Sequence, residues 1–177
     1  CFNNNQVAFT NSSTVATGTL QYSWDFGDGF TSTARDVTHN YGTPGIYQVK
    51  LVVTTNNGCK DSSSTTVNIF ESPTAGFTTN TASQCFSNNQ FSFTNTSSIS
   101  AGSLQYTWDF GDGSFATATD VTHNYTAPGV YTVRLIALSD KNCSNEITTV
   151  ITVHPNPEAD FNLNSAAAQC FKNNSFN

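Results

Sequence analysis

The chain has 177 residues, of which 10% are charged, and its formal net charge is −6. Ordinary domains are about a quarter charged, so the polar surface must come from Ser, Thr and Asn; an acidic chain with six Lys and Arg cannot neutralise a phosphate backbone, which excludes a nucleic-acid partner. Fourteen Phe and six Tyr exclude a disordered tail, and no apolar run reaches membrane-spanning length.

In chain order the predicted elements are all strands. Val7-Ala8-Phe9 alternates with period two. Tyr22, Trp24 and Phe26 alternate in the same way, and Gly27-Asp28-Gly29 ends that strand in a turn. Pro44-Gly45 turns the chain again. Tyr47, Val49, Leu51 and Val53 then line one face of the longest strand. Asn56-Asn57-Gly58 is a hairpin signal, and Thr65, Val67 and Ile69 mark the returning strand. Ala75–Thr79 opens the next unit, with Ala159–Leu163 as its counterpart, and Phe91-Ser92-Phe93 repeats the first alternation. Helical periodicity is absent.

The order is a repeat. Cys1 and Cys85, Trp24 and Trp108, His39 and His123, and Cys59 and Cys143 are each 84 residues apart. LQYSWDFGDG at Leu20–Gly29 recurs as LQYTWDFGDG at Leu104–Gly113. DVTHNY follows in both copies (Asp36–Tyr41, Asp120–Tyr125), then PGxYxVxL (Pro44–Leu51, Pro128–Leu135). Cys170 stands 85 residues after Cys85, one residue being inserted in Ala166–Ala168. The chain opens with CFNNNQVAF and closes with CFKNNSFN, the start of a third copy. The expected organisation is a repeat lacking its first strand over 1–72, a complete repeat over 73–156, and the start of a third over 157–177. This reads as a window of a longer array, with a leader removed before Cys1 or the window beginning inside a longer protein. Short strands in units of about 85 residues indicate an all-β fold of tandem immunoglobulin-like sandwiches.

WDFGDG followed by THxY and PGxYxVxLxV, twice over and at matching spacing, resembles the PKD (polycystic kidney disease) domain in tandem, of the bacterial surface-array type. The resemblance covers essentially the whole chain. It implies seven-stranded immunoglobulin-like sandwiches, with Trp24 and Trp108 in the core and Asp25–Gly29 and Asp109–Gly113 as the signature turns. It also implies an extracellular setting: cell-surface arrays, adhesins, surface layers, or spacers in secreted hydrolases. It names no ligand.

Five cysteines, none in a CxxC pair, speak for disulfides and an oxidising compartment rather than zinc. The odd number calls for a partner outside the window. Tyr47 and Tyr131 fit the corner tyrosine of such sandwiches and join the expected core, but Val49 and Val133 occupy the position of the antibody-type core cysteine. Cys1 and Cys85 precede strand B, whereas Cys59 and Cys143 follow strand F. Strands B and F run the same way, so these points lie about 20 Å apart within one domain, and a disulfide needs Cα atoms within about 7 Å. In a head-to-tail array the two meet across a junction. Cys1–Cys143 is therefore favoured, with Cys59, Cys85 and Cys170 joined to residues outside the window. The alternative is Cys1–Cys59 with Cys85–Cys143, which requires the A–B loop to fold far up the side.

Asp25, Asp28, Asp109 and Asp112 are candidate calcium ligands, but two carboxylates per site are few, and capping of the turn by bonds to backbone amides is the plainer role. Each pair brackets one tight turn, which leaves no cleft for glycosidase chemistry. His39 and His123 recur in THNY contexts that fit packing or a turn hydrogen bond, and His154 falls near the linker. Without a nucleophile motif the serines suggest no triad. Phe30, Phe70 and Phe115 are the candidates for a solvent-side sugar or protein face, Phe30 and Phe115 being at unmatched positions. Sequons occur at Asn11, Asn95, Asn124, Asn142 and Asn173.

The function expected is structural or adhesive and not enzymatic: a disulfide-stiffened segment of a secreted cell-surface stalk or filament, with no cofactor and no membrane span in this stretch. Its partners are neighbouring repeats of the same chain or identical chains in a fibre, with a surface glycan or protein as a further ligand. A carbohydrate- or calcium-binding array, or an accessory region of a secreted hydrolase, are the alternatives. A donor-strand fibre, in which residues 157–168 complete a neighbouring subunit, is disfavoured because Cys170–Asn177 would then duplicate Cys1–Val7.

Overall fold

Alternation decides which face each strand buries, and the computed structural model, which describes residues 1–162, shows it in both copies. The first repeat contains β1 (Val7–Phe9), β2 (Leu20–Asp25), β3 (Thr31–Ser32), β4 (Val37–His39), β5 (Gly45–Thr55) and β6 (Lys60–Ile69). The second contains β7 (Phe77–Thr79), β8 (Ser83–Cys85), β9 (Phe91–Asn95), β10 (Leu104–Asp109), β11 (Phe115–Ala116), β12 (Val121–His123), β13 (Gly129–Ser139) and β14 (Ser144–His154). The described residues contain no helix.

Each repeat is a two-sheet sandwich. In the second, one sheet runs β12-β9-β7 and the other β11-β10-β13-β14-β8. All pairings are antiparallel except β14 with β8. The first repeat has the same plan with two positions open: β1 pairs with β4 alone, and β6 is an edge of β3-β2-β5-β6. Nothing among the described residues takes the places of β7 and β8. The segment at 159–162, expected as a first strand with Leu163, forms no strand, and Leu163 lies outside the described residues.

The packing records this difference. Trp108 and Leu135 are wholly buried (0% exposed), while their counterparts Trp24 and Leu51 keep 6% and 9% exposure. Phe91, Phe93, Phe110, Ile151 and Val153 complete the second core, and Phe26, Tyr41, Val49 and Ile69 the first. Tyr47 and Tyr131 are half-buried on the rims of these cores; the tyrosines buried within them are Tyr41 and Tyr125. The corner position explains this, since the hydroxyl must leave the core to reach a loop carbonyl. Tyr47 Oη donates to Thr43 O at 2.8 Å and Tyr131 Oη to Ala127 O at 2.9 Å.

Candidate functional site: the junction between repeats

The last strand of the first repeat leaves the sandwich beside that repeat's own beginning. Phe2 N–H donates to Phe70 O at 2.7 Å, and Asn3 N–H to the Ser72 hydroxyl at 3.1 Å. The chain then passes Pro73 and enters the second repeat. Thr74 bridges to Ser98, and β7 pairs with β9 through Phe77↔Asn95 and Thr78↔Thr94. The second repeat holds this linker from its far side: Asn145 Nδ2 donates to Pro73 O at 3.0 Å, and the Ser100 hydroxyl donates to the Glu71 carboxylate.

Across the same junction Cys1 is joined to Cys143 by a disulfide, with Cα atoms 5.3 Å apart. Cys143 is fully buried at the foot of the β13–β14 hairpin, its N–H donating to the Ser139 hydroxyl at 3.1 Å. Cys59 and Cys85 are exposed and unpaired among the described residues. Cys170 lies outside them, as does the sequon residue Asn173.

The aspartate turns form a second repeated constellation. Asp25 Oδ1 accepts from Gly27 N–H at 2.9 Å, and Asp28 Oδ1 from Phe30 N–H at 3.2 Å. Asp109 and Asp112 do the same for Gly111 and Ser114 at 3.0 Å. Asp109 also meets Arg134 at 3.4 Å. Gly27 and Gly111 are required as glycines: φ is +79° at both, and a Cβ would lie 2.7 Å from Gln48 O or Thr132 O.

Each turn is latched by a histidine. His39 Nε2 lies 2.7 Å from Asp28 Oδ2, and His123 Nε2 lies 2.7 Å from Asp112 Oδ2. The rings stack on Phe26 and Phe110 at 4.2 and 4.1 Å and meet Tyr41 and Tyr125 edge-on. Burial works to raise the Asp28 pKa, but the hydrogen bonds from His39 and Phe30 N–H outweigh it and hold the carboxyl below its ordinary value. Asp112 is lowered likewise, against burial, by Ser114 and His123. Burial, with the Asp28 charge nearby, pushes the Tyr41 phenol up to about 12, and burial pushes Tyr125 up as well.

The second turn brings a serine, a histidine and an aspartate together, which the sequence alone does not suggest. Ser114 Oγ lies 3.5 Å from His123 Nε2 and 2.5 Å from Asp112 Oδ1. A catalytic triad uses opposite ring nitrogens for serine and aspartate. Here both approach Nε2, and Phe30 replaces the serine in the first repeat. Among the described residues no three His, Cys, Asp or Glu side chains are placed to share a metal ion.

The remaining candidates scatter. Phe30 and Phe115 are exposed (66% and 65%), Phe70 is 40% exposed, and His154 lies at the end of β14. Asn11 is buried at 5% exposure, and its Nδ2 and that of Asn95 are buried without partners, so neither amide is open to a glycan in the folded chain. Asn124 Nδ2 donates to Asn89 O, and Asn142 is exposed at the β13–β14 turn beside Cys143. The packing or turn hydrogen bond expected of His39 and His123 is present in both copies; the sequence does not name Asp28 and Asp112 as the partners, although Asp28 to His39 and Asp112 to His123 share one spacing.

A family profile described as PKD domain matches residues 2–69 and again 71–153. Among curated relatives, a stretch of 50 residues is 46% identical to Collagenase ColA of Clostridium perfringens, covering 28% of this chain and 4% of that protein. A stretch of 44 residues is 50% identical to Microbial collagenase of Vibrio alginolyticus, covering 25% of this chain and 5% of the relative. The chain thus spans only about a twentieth of these relatives' length. Among solved structures, the PKD1 domain of Vibrio anguillarum Epp aligns at 31% identity and a TM-score of 0.43, over 49% of this chain and 98% of that one. The PKD1 domain of Vibrio cholerae metalloprotease PrtV aligns at 33% identity and a TM-score of 0.43, over 48% and 99%.

Proposed function

The chain belongs to the PKD domain family, and from that premise we propose that it is a structural repeat segment of an extracellular stalk or filament, stiffened by a disulfide across the junction between repeats. The observation that carries this reading is the Cys1–Cys143 bond, which links the beginning of one repeat to the last hairpin of the next. Two linked repeats without a staple rotate about their linker by default. Here the linker and the disulfide form two separate attachments, and two attachments remove the hinge. A pull along the chain also loads the staple in parallel with the linker. The same bond supports a secreted, oxidising setting.

Small-angle scattering on the native and reduced chain tests this. The expected result is one well-defined maximum dimension when oxidised and a broader distribution after reduction. Identical profiles would remove the stiffening role.

The similarity to collagenases favours a second reading, in which these repeats are an accessory region of a secreted hydrolase whose catalytic domain lies elsewhere in its chain. Cosedimentation with fibrillar collagen separates the two. Saturable binding that survives reduction supports the accessory reading, and no binding supports the stalk.

A further inference from the structure

Asparagine is a thermolabile residue, and it is most open to attack by the next backbone nitrogen when glycine follows, because glycine has no side chain to shield that nitrogen. The chain has one such pair, Asn57-Gly58, at the tip of the β5–β6 hairpin. We propose that Asn57 is a modification site, at which the folded chain deamidates through a succinimide and the hairpin tip opens as a result. The inference stands apart from the stalk reading, since the chemistry is local to one turn.

The tip presents the reacting groups. Asn56, Asn57 and Gly58 are all exposed, and the Asn57 side chain has no hydrogen bond among the described residues. Gly58 has φ +81°, and nothing stands within 4 Å of the place a Cβ would take, so the reacting nitrogen is not crowded from that side. The matched tip of the second repeat, Asp140–Asn142, is exposed as well, although it stands at the junction. Exposure is thus a property of the hairpin tip itself.

The reaction needs only water. The Gly58 amide nitrogen gives up its proton and attacks Asn57 Cγ. The N–Cγ bond forms, the Cγ–Nδ2 bond breaks, and Nδ2 departs as ammonia with that proton. Water then opens the ring at one of its two carbonyls, leaving aspartate or isoaspartate. Gly58 N–H donates to Thr55 O at 2.9 Å and must be released first, which a local opening of the tip allows at less than the free energy of global unfolding. In isoaspartate the backbone runs through the side-chain carbon, adding a methylene to a turn that Thr55 N–H closes on Cys59 O at 2.9 Å. The longer turn cannot keep both bonds.

The competing positions are held. Asn56 is followed by Asn57, and its N–H donates to Thr19 O at 3.3 Å. Asn142 is followed by Cys143, which is fully buried and donates its N–H to the Ser139 hydroxyl at 3.1 Å. Asp28-Gly29 and Asp112-Gly113 have glycines as open as Gly58 and could close the same ring with loss of water. Both oxygens of each carboxyl are engaged, however: Asp28 by Phe30 N–H at 3.2 Å and His39 at 2.7 Å, Asp112 by Ser114 N–H at 3.0 Å and His123 at 2.7 Å. Their lowered pKa values keep them ionised, and a carboxylate resists attack. The latches therefore shield the signature turns from the chemistry that Asn57 undergoes.

The test holds the full native chain in warm, mildly alkaline buffer and maps it by mass spectrometry, with isoaspartate read by isoaspartyl methyltransferase labelling. The tryptic peptide 51–60 is expected to exchange an amide for a carboxyl at Asn57, at least tenfold faster than any other asparagine reacts or either Asp-Gly pair isomerises. The Thr55 and Gly58 amides should exchange hydrogen faster in the aged chain. Neither change is expected in the Asn57→Gln chain. The parent chain unfolded in urea supplies the rate of the sequence alone. An Asn57 that stays intact in the folded chain while the unfolded chain converts overturns the proposal, and so does conversion at Asn142, Asp28 or Asp112 at a similar rate.

Discussion

The ring of Phe77 meets the indole of Trp108 edge to face, 5.1 Å between centroids, and through that contact the first strand of the second repeat closes its core. Removing a packed aromatic side chain costs about 3–5 kcal/mol. Phe77→Ala is therefore expected to lower the stability of the second repeat by about 3 kcal/mol, read by urea unfolding on indole fluorescence. Phe161→Ala, at an exposed counterpart, should leave monomer stability within about 0.5 kcal/mol of the parent. Equal losses for both would mean that the two positions are equivalent in the monomer.

The long strands were legible because alternation is a local signal. Tyr22-x-Trp24-x-Phe26 and Tyr47-x-Val49-x-Leu51-x-Val53 each state which face is buried, and β2 and β5 lie where the pattern puts them. The sandwich class followed from those strands and their turns. Some short strands were not legible: β3 and β11 have two residues each, too few to show a period, and β8 reads Ser-Gln-Cys, with no apolar alternation to show one. They form because a longer neighbour offers its edge. The THNY context pointed His39 to packing or a turn hydrogen bond, but not to Asp28 as its partner, for a related reason. That pairing depends on β4 lying across from the turn, a tertiary fact that a spacing of eleven residues does not encode. Likewise the half-buried state of Tyr47 follows from where its hydroxyl must go, not from its place in the alternation.

The two latches make stability fall in acid. Asp28 and Asp112 have folded-state pKa values below the ordinary 3.8. A carboxyl lowered on folding contributes stability that is present above its unfolded pKa and is lost as pH falls through the folded one. The unfolding midpoint is thus expected to be insensitive to these groups at neutral pH and to drop below about pH 4. His39→Gln/His123→Gln should flatten that drop, because it removes one of the contacts that lower the carboxyl values while burial still works to raise them and the bonds from Phe30 and Ser114 remain. Urea midpoints between pH 2 and 7 for both proteins decide it; parallel curves would show that the latches do not govern the acid response.

The turn glycines should differ sharply in tolerance. Gly111 has φ +79°, and a Cβ there would stand 2.7 Å from the Thr132 carbonyl oxygen, which the β13 backbone cannot withdraw. Gly113 has φ +90° with nothing within 4 Å. Gly113→Ala carries only the backbone strain, about 1 kcal/mol, whereas Gly111→Ala adds the steric clash and should cost about 3 kcal/mol in all. Thermal unfolding of the two variants measures the gap. Comparable losses would place the cost in φ alone.

The staple should act on the unfolded chain as much as on the folded one. Cys1 and Cys143 close a loop with a sequence separation of 142 residues. In the chain-entropy account a loop of that order restricts the unfolded ensemble by about 4–5 kcal/mol. The Cys1→Ser/Cys143→Ser chain, which leaves neither thiol stranded, is expected to unfold at lower urea, by an amount approaching that figure for the second repeat. The effect on the first repeat should be smaller, because Cys1 sits at its margin and is exposed, whereas Cys143 is buried in the second. Equilibrium unfolding read on Trp24 and Trp108 separately, through Trp→Phe variants, resolves the two. A loss confined to the first repeat would mean that the bond anchors a fraying terminus and does not restrain the junction.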